Sequence, residues 1–471
     1  PLVSTTTSYY PYCTLSDVVF NGLTITDQVV FSDYFGTQAA LALDAEITDI
    51  TFQNCTFLGN QDKMADNTFA AIKMNADSEY FHNITVTGCT FTNYYQGVYV
   101  QGVDGLTVEN CSISNTTHNA IAVQSSGSNP VQGSVTISGT TIQGTGDRAI
   151  RFGNIGEDVS AVIENNTFID ATDSEGELMK TGSTGDGFSL ALENNQWTED
   201  GAAKTEAELF EAMGVSAVAE VGGAIYSSLS GAVGQAASGE TVKLLAPAEI
   251  SNVIEIERDL TLDLNGYQIT NKVTDDSLFR ITEAVDVTVD GTAESSGMTI
   301  PSGVSSDGFF TLTAPASLTL DGGTYEGAAN EAFILALQDP PQENNSNGNP
   351  DSGANGCTIV LNNLTATTNR RITTTDTLNT MTMEVRSGSY TSTAEVVDQA
   401  STYSVFGWDC MELDAPISFT DVTVKSAGGA CIEGCGGTVT LENCDFAVNN
   451  TSYPGFTASA VAVSWEGTAN I

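Results

Sequence analysis

Cationic residues are scarce in this chain. Lys and Arg number 14 against 59 Asp and Glu in 471 residues, a formal net charge of −45. A field of that sign repels nucleic acid and anionic membrane surfaces, so neither is expected as a partner, and it favours solubility on a crowded surface. No run of about 18 apolar residues occurs, which excludes a bilayer-spanning helix. The first residue is Pro1, and no signal-like segment follows it. The chain opens inside a repeat-like pattern and closes just after another, so we read it as a piece of a longer chain. Histidine is nearly absent. His82 and His118 are the two present, and neither stands at zinc-ligand spacing from a cysteine.

What is abundant is Gly, Thr, Ser and Asn, the composition of short strands and tight turns. The stretch from Val103 to Val123 gives the template. Leu106 and Val108 alternate with Thr107 and Glu109, Asn110-Cys111 bends the chain, Ile113 returns to the apolar side, and Ala120, Ile121 and Val123 form a second apolar run. The text recurs around Asn54-Cys55, Gly88-Cys89, Gly139-Thr140, Asn165-Asn166 and Asn194-Asn195, and with Gly22 it gives about seven rungs. Self-similarity at about 20 to 35 residues, built on short strands, is the mark of a β solenoid. Asn and Gly suit the left-handed backbone of a bend, and bend Asn side chains on stacked rungs are expected to bond to one another.

The pattern pauses between Trp197 and Ile250. Thr205 is expected to cap a short helix from Glu206 to Met213, Ala217 to Val221 and Ala224 to Tyr226 read as two strands about a tight turn, and Leu229, Val233 and Ala236 fall at helical spacing. Rungs resume at Leu260, with further bends near Gly297, Gly322, Asn363, Ser387, Asp421 and Asn443. The organisation expected is therefore all-β: a first parallel β-helix over 1–199, a linker and capping segment over 200–250, and a second β-helix over 251–471. The polar run from Gln342 to Gly356 reads as an exposed loop. Its alternating Asn345, Asn347, Asn349 and Asp351 echo an oxygen-rich calcium loop, but the Gly and terminal acid of an EF-hand are missing. No cofactor is expected, with calcium as the single alternative.

Nine cysteines are present. Cys55, Cys89, Cys111 and Cys444 share one position just after the bend and should face the core as small fillers. An odd total argues against a complete disulfide framework, while Cys431 and Cys435 are spaced to pair or to stay reduced.

These rungs resemble right-handed parallel β-helices of the pectin-lyase-like type. The stretch from Val218 to Thr270, with GGAIYSSLSGAVGQAASGETVKLL and LTLDLNGYQIT, is similar to a module of large surface proteins of anaerobic gut-type bacteria. The resemblance implies a fold more than an activity, since that superfamily holds lyases, hydrolases, tailspikes and non-enzymatic adhesins. Hydrolases of this type carry carboxylates on the strand after the bend. Here those positions hold Gln96 and Tyr99, Asn119 and Ala122, and Arg148 and Arg151. A carboxylate pair, one acid and one base or nucleophile, is what glycoside hydrolysis needs.

With the rungs stacked, Lys73, Tyr99, Ala122 and Arg151 should form one outward row, and Tyr95, His118 and Asp147 another beside it. Tyr95, Tyr99, His118, Asp147, Arg148 and Arg151 are thus the candidate glycan-binding residues, because aromatic faces with flanking donors hold sugars. A surface ion pair between Asp147 and Arg151 is the plainer account of the charges. The function expected is a non-enzymatic, extracellular, cell-surface rod, an adhesin or part of a surface assembly. Its partner would be a host or microbial glycan or another surface protein, with self-assembly open. The alternative is a glycan-binding protein or polysaccharide lyase of the same superfamily.

Overall fold

The structure, a computed structural model, describes residues 4–5, 15–26, 28–32, 47–75, 81–125, 131–155, 159–181, 188–214, 216–337, 353–375, 378–394, 404–449, 460–464 and 468–470. The chain forms two compact units, one of Pro1–Ala217 with Gly223–Gly231, the other of Val218–Gly222 with Ala232–Ile471. The segment read as linker and cap is divided between them.

The first unit is a parallel β-helix of seven rungs. Each of the first six rungs contributes a strand to sheet B, turns at a single left-handed residue, contributes to sheet C, and then crosses to sheet A; the seventh stops after sheet C. The template rung shows the sequence of events: Asp104–Glu109 in B, the bend at Asn110, Ser112–Thr116 in C, and Ile121–Gln124 in A. Its neighbours align in parallel register, Leu106 with Ile84 on one side and Val135 on the other. Alternation decides which side chains go in. The strand Ile47–Gln53 buries Ile47, Ile50 and Phe52, and their counterparts stack above them. Phe57 and Phe91 stack with ring centroids 4.6 Å apart. Each such apolar side chain contributes about 1.5–3 kcal/mol by leaving water.

All seven expected bends, Gly22, Asn54, Gly88, Asn110, Gly139, Asn165 and Asn194, have φ between 51° and 65°. That backbone costs most residues about 1–2 kcal/mol, and Gly or Asn far less. The expected ladder of bend asparagines is not what forms. A Cβ at Gly88 would lie 2.6 Å from Oδ1 of Asn54, and one at Gly139 would lie 2.6 Å from Oδ1 of Asn110. The Asn side chain of one rung therefore fills the space above a glycine on the next. Side-chain pairing between rungs instead occurs one residue later, where Nδ2 of Asn166 donates to Oδ1 of Asn195 at 3.0 Å.

The last rung of this unit is closed by non-parallel elements. Ala202–Lys204 pairs antiparallel with Gln196–Glu199, and Ala224–Tyr226 antiparallel with Ser189–Glu193. Helix α1, Glu206–Ala212, starts where Thr205 and Glu208 form a reciprocal capping box. Its Leu209 and Phe210, with Met213 just beyond, enter the apolar core of the first unit. An antiparallel strand and an amphipathic helix hide both the unpaired edge and the open core of the last rung.

In the second unit Ala219–Val221 lies antiparallel on Glu240–Leu244, which pairs in parallel with Leu260–Asp263. The two strands expected around one tight turn thus each serve a different unit. Helix α2, Leu229–Gln235, follows them. Three parallel sheets then run to the end of the described chain. Two strands of 12 residues, Cys357–Thr368 and Met381–Ser392, span a corner by bending at Asn363 and Ser387, both left-handed. Gly322, Asp421 and Asn443 bend as expected, but Gly297 does not. Ser295 takes the positive φ there, and Gly297 lies in a strand where a Cβ would fall 2.0 Å from the Thr324 carbonyl. The glycine serves close approach rather than turning.

Cys55, Cys89 and Cys111 point inward and are 1%, 1% and 4% exposed. Cys444, read as their equivalent, is only half-buried. Cys431 is buried with a free thiol, so the disulfide to Cys435 that the spacing allowed does not form. Asn345, Asn347, Asn349 and Asp351 lie outside the described residues.

Candidate functional site

Sheet A of the first unit brings the candidate residues together. Tyr99 is in register with Lys73 below and Ala122 above, and Ala122 with Arg151, so the outward row forms as the spacing implied. Lys180 holds the next register position. The Lys73 ammonium sits 5.9 Å from the centre of the Tyr99 ring. The Tyr99 hydroxyl donates to Oε1 of Gln101 at 3.0 Å and accepts from Nε2 of Gln124 at 2.7 Å. Burial holds its phenol above the ordinary range, so it stays protonated.

The second row stands at the corner where sheet C gives way to sheet A. The backbone N–H of His118 donates to the Tyr95 carbonyl at 3.0 Å, which sets the two rings 4.9 Å apart. Nδ1 of His118 meets Oδ2 of Asp147 at 2.7 Å. That oxygen also accepts from Nδ2 of Asn119 at 3.1 Å, and Oδ1 of Asp147 accepts from Arg148 at 2.8 Å. The carboxylate therefore fixes the imidazole, whose Nε2 has no protein partner among the described residues. Burial lowers the His118 pKa; Asp147 opposes the shift, and Arg151 and Arg148 reinforce it. The imidazole is neutral near pH 7. Burial, with Asp147 beside it, raises the Tyr95 phenol, while Arg151 acts the other way.

The expected pair of Asp147 with Arg151 is replaced by a different one. Arg148, one residue on, turns inward and is 9% exposed. Its guanidinium binds Asp147, Asp173 at 2.6 Å and Glu177. Arg148 is thus a strut under the face, with Nε, Nη1 and Nη2 each bound to a carboxylate. Asp173 and Glu177 could not be foreseen as its partners, since they lie one full rung away on a loop. Asp173, Glu175 and Glu177 bring carboxylate oxygens within 4.8 Å of one another. Oδ1 of Asp173 accepts the N–H groups of Glu175 and Glu177 at 2.9 Å each, and Arg148 takes the outer oxygens of Asp173 and Glu177. The turn is held by its own backbone N–H groups on Asp173 and by Arg148 from the preceding rung, which offsets the repulsion among the carboxylates.

At the positions expected to carry carboxylates in a hydrolase of this fold, Gln96 is 6% exposed, Asn119 is fully buried and Arg148 is 9% exposed. Asn119 donates to Asp147 and to the Arg148 carbonyl, while its Oδ1 is unpartnered. What faces outward is two tyrosines, a neutral imidazole and the cations Lys73 and Arg151, a set that can stack on and hydrogen-bond to a sugar.

Among the described residues no helix is long and apolar enough to cross a membrane. Residues 12–197 match the family model described as a right handed beta helix region. No curated protein matches the chain.

Proposed function

On a right-handed β-helix of this kind, we propose that the chain is a non-catalytic component of an extracellular surface, a rigid scaffold whose first unit presents sheet A for carbohydrate recognition. The observation that carries this reading is the pairing of an outward row of Tyr95, Tyr99, His118 and Arg151 with buried Gln96, Asn119 and Arg148 at the carboxylate positions. A hydrolase needs an acid and a second carboxylate flanking the scissile bond. On this face the nearest acids, Asp147, Asp173 and Glu177, are bound to Arg148. Their charge supports the face from beneath.

The reading is tested by combining binding and turnover measurements on the purified chain. Immobilised glycans should retain it, and replacing Tyr95, Tyr99 or Arg151 should weaken retention, while no reducing ends or unsaturated products accumulate with or without calcium. Turnover that disappears on changing Asp147, Arg148 or Arg151 would overturn the non-catalytic reading and establish a lyase.

A further inference from the structure

One interior column of the first unit carries three sulfurs in succession. In rung order the residue after the bend is Leu23, then Cys55, Cys89 and Cys111, then Thr140. Thr90 N donates to the Cys55 carbonyl and Ser112 N to the Cys89 carbonyl, each at 2.9 Å, so the three cysteines stand on adjacent rungs in register. Every one of the sulfurs makes the same two contacts at 3.2–3.5 Å, to the carbonyl two residues back and to a carbonyl of the preceding rung. These are Gln53 and Phe20 for Cys55, Thr87 and Phe52 for Cys89, and Glu109 and Val86 for Cys111. Side chains with one bonding pattern share one orientation, so the sulfurs repeat with the strands, whose spacing is about 4.8 Å. Among the described residues no other two cysteines stand in register; Cys357 lies opposite Met381, and Cys435 opposite Asp409.

We propose that the gaps Cys55–Cys89 and Cys89–Cys111 are binding sites for soft monovalent cations of the cuprous class, one ion in each gap, with the Cys89 sulfur shared between them. This site lies inside the unit and is independent of the carbohydrate-recognition reading of sheet A. A bond from thiolate sulfur to a soft metal ion is about 2.3 Å long, so a linear two-coordinate unit spans about 4.6 Å and fits the rung spacing. A disulfide fits worse, because it draws the sulfurs to about 2.0 Å and the Cβ atoms to about 3.8 Å, against rungs pinned by ladder bonds on both sides. Zinc wants four ligands in a tetrahedron, and a straight file turns only two sulfurs toward any one point. Calcium and magnesium want oxygen.

The charge balance suits the interior. Each ion displaces one thiol proton, which leaves to solvent, and no electron is transferred. Two cations with two thiolates and one remaining thiol form a neutral unit, so no net charge is left in the apolar core. The Cys55 N–H, 3.3 Å from the Cys89 sulfur, is a donor that favours the thiolate at the shared position. The three thiols are 1%, 1% and 4% exposed, so an ion enters only when a corner opens, and loading of the folded chain is slow. Once seated, the ions join three consecutive rungs and stabilise the folded state over the unfolded one.

Silver(I), a monovalent thiophilic ion of the same electron count, is the probe. The intact reduced chain is incubated with excess silver, or refolded in its presence, washed briefly with a soluble thiol that strips singly held ions, and read by native mass spectrometry and thermal melting. We expect two retained ions in wild type, one in Cys55→Ser and one in Cys111→Ser, and none in Cys89→Ser, with the melting temperature raised in proportion. Serine keeps the polar ladder, since Thr140 already fills this column with a hydroxyl that accepts from Cys111 N at 3.2 Å. Should Cys89→Ser fail to fold, the loss of one ion in each end variant carries the test. Two ions retained by folded Cys89→Ser, or none retained by wild type even after refolding with silver, would overturn the assignment. A Cys55–Cys89 or Cys89–Cys111 disulfide formed with oxidised glutathione and found by peptide mapping, in protein that takes up no silver when reduced, would make the file a redox pair instead.

Discussion

The backbone N–H of Thr140 donates to Oδ1 of Asn166, 2.9 Å away on the next rung. The same relation repeats along the residue after each bend. Asn166 N donates to Asn195 Oδ1 at 3.1 Å, Cys111 N to Thr140 Oγ1 at 3.2 Å, and Cys55 N to Cys89 Sγ at 3.3 Å. Each side chain also reaches back to a carbonyl of the preceding rung: Asn195 to Ile163, Asn166 to Ile137, Cys89 to Phe52 and Cys55 to Phe20. The bend leaves an N–H and a carbonyl that the sheets do not pair, and this position closes both. Cysteine here is a compact donor and acceptor as well as a filler.

Asn166→Ala removes the acceptor for Thr140 N and the donor to Ile137 O inside the core. Leaving buried polar groups unpaired costs about 1–3 kcal/mol each, so we expect a loss of about 2–4 kcal/mol in denaturant unfolding. A loss below about 1 kcal/mol would mean that water or a shifted bend replaces the ladder.

Cys55, Cys89 and Cys111 should resist alkylation in the native protein. Burial pushes the Cys55 thiol up, and the hydrogen bond with Cys89, then burial, push the Cys111 thiol up; the Cys89 thiol is drawn down by its hydrogen bond with Cys111 and is protected by burial alone. Half-buried Cys435 and Cys444 should label first by peptide mass mapping. Rapid labelling of the three ladder thiols would place the register off by one residue.

His118 gives stability a pH dependence of known sign. Its folded pKa is lowered by burial, so the unfolded chain binds more protons as pH falls through about 6.5. Its contribution is intact above that range and is lost progressively below it. The stability advantage of wild type over His118→Asn should therefore shrink between about pH 7 and pH 5; an advantage that grows would show His118 to be stabilised in its charged form.

Gly434→Ala should be costly in the second unit. A Cβ there would fall 1.9 Å from Cζ2 of Trp408, which is 4% exposed and donates from Nε1 to the Gly436 carbonyl at 3.3 Å. Overpacking of that kind costs about 1–3 kcal/mol, and we expect a lower melting temperature with altered Trp fluorescence. An unchanged melting temperature would show that the indole can retreat.

Much of this architecture was legible because alternation and bends are local properties. Ile84-Thr85-Val86 before Gly88, or Leu106-Thr107-Val108 before Asn110, specifies which side chains enter the core and where the chain turns. The outward row from Lys73 to Arg151 followed once the rungs were aligned on those bends. The partners of Arg148 did not follow, because Asp173 and Glu177 lie on a loop whose length carries no periodic signal. Gly297 misled for a related reason: glycine marks both a left-handed turn and a place where another backbone comes close. Only the neighbouring Thr324 carbonyl tells them apart.

Successive bends in the first unit stand at 22, 54, 88, 110, 139, 165 and 194, intervals of 32, 34, 22, 29, 26 and 29 residues. Yet strand pairing between those rungs keeps one residue opposite one residue apart from a single local shift beside Asp104. The unit therefore works as a ruler with adjustable corners. Its outward columns are graduated at about 4.8 Å whatever the loops contain. Segments can be lengthened or exchanged at the corners without altering the distance between any two marks, and a ligand that measures that distance would tolerate wide variation everywhere else.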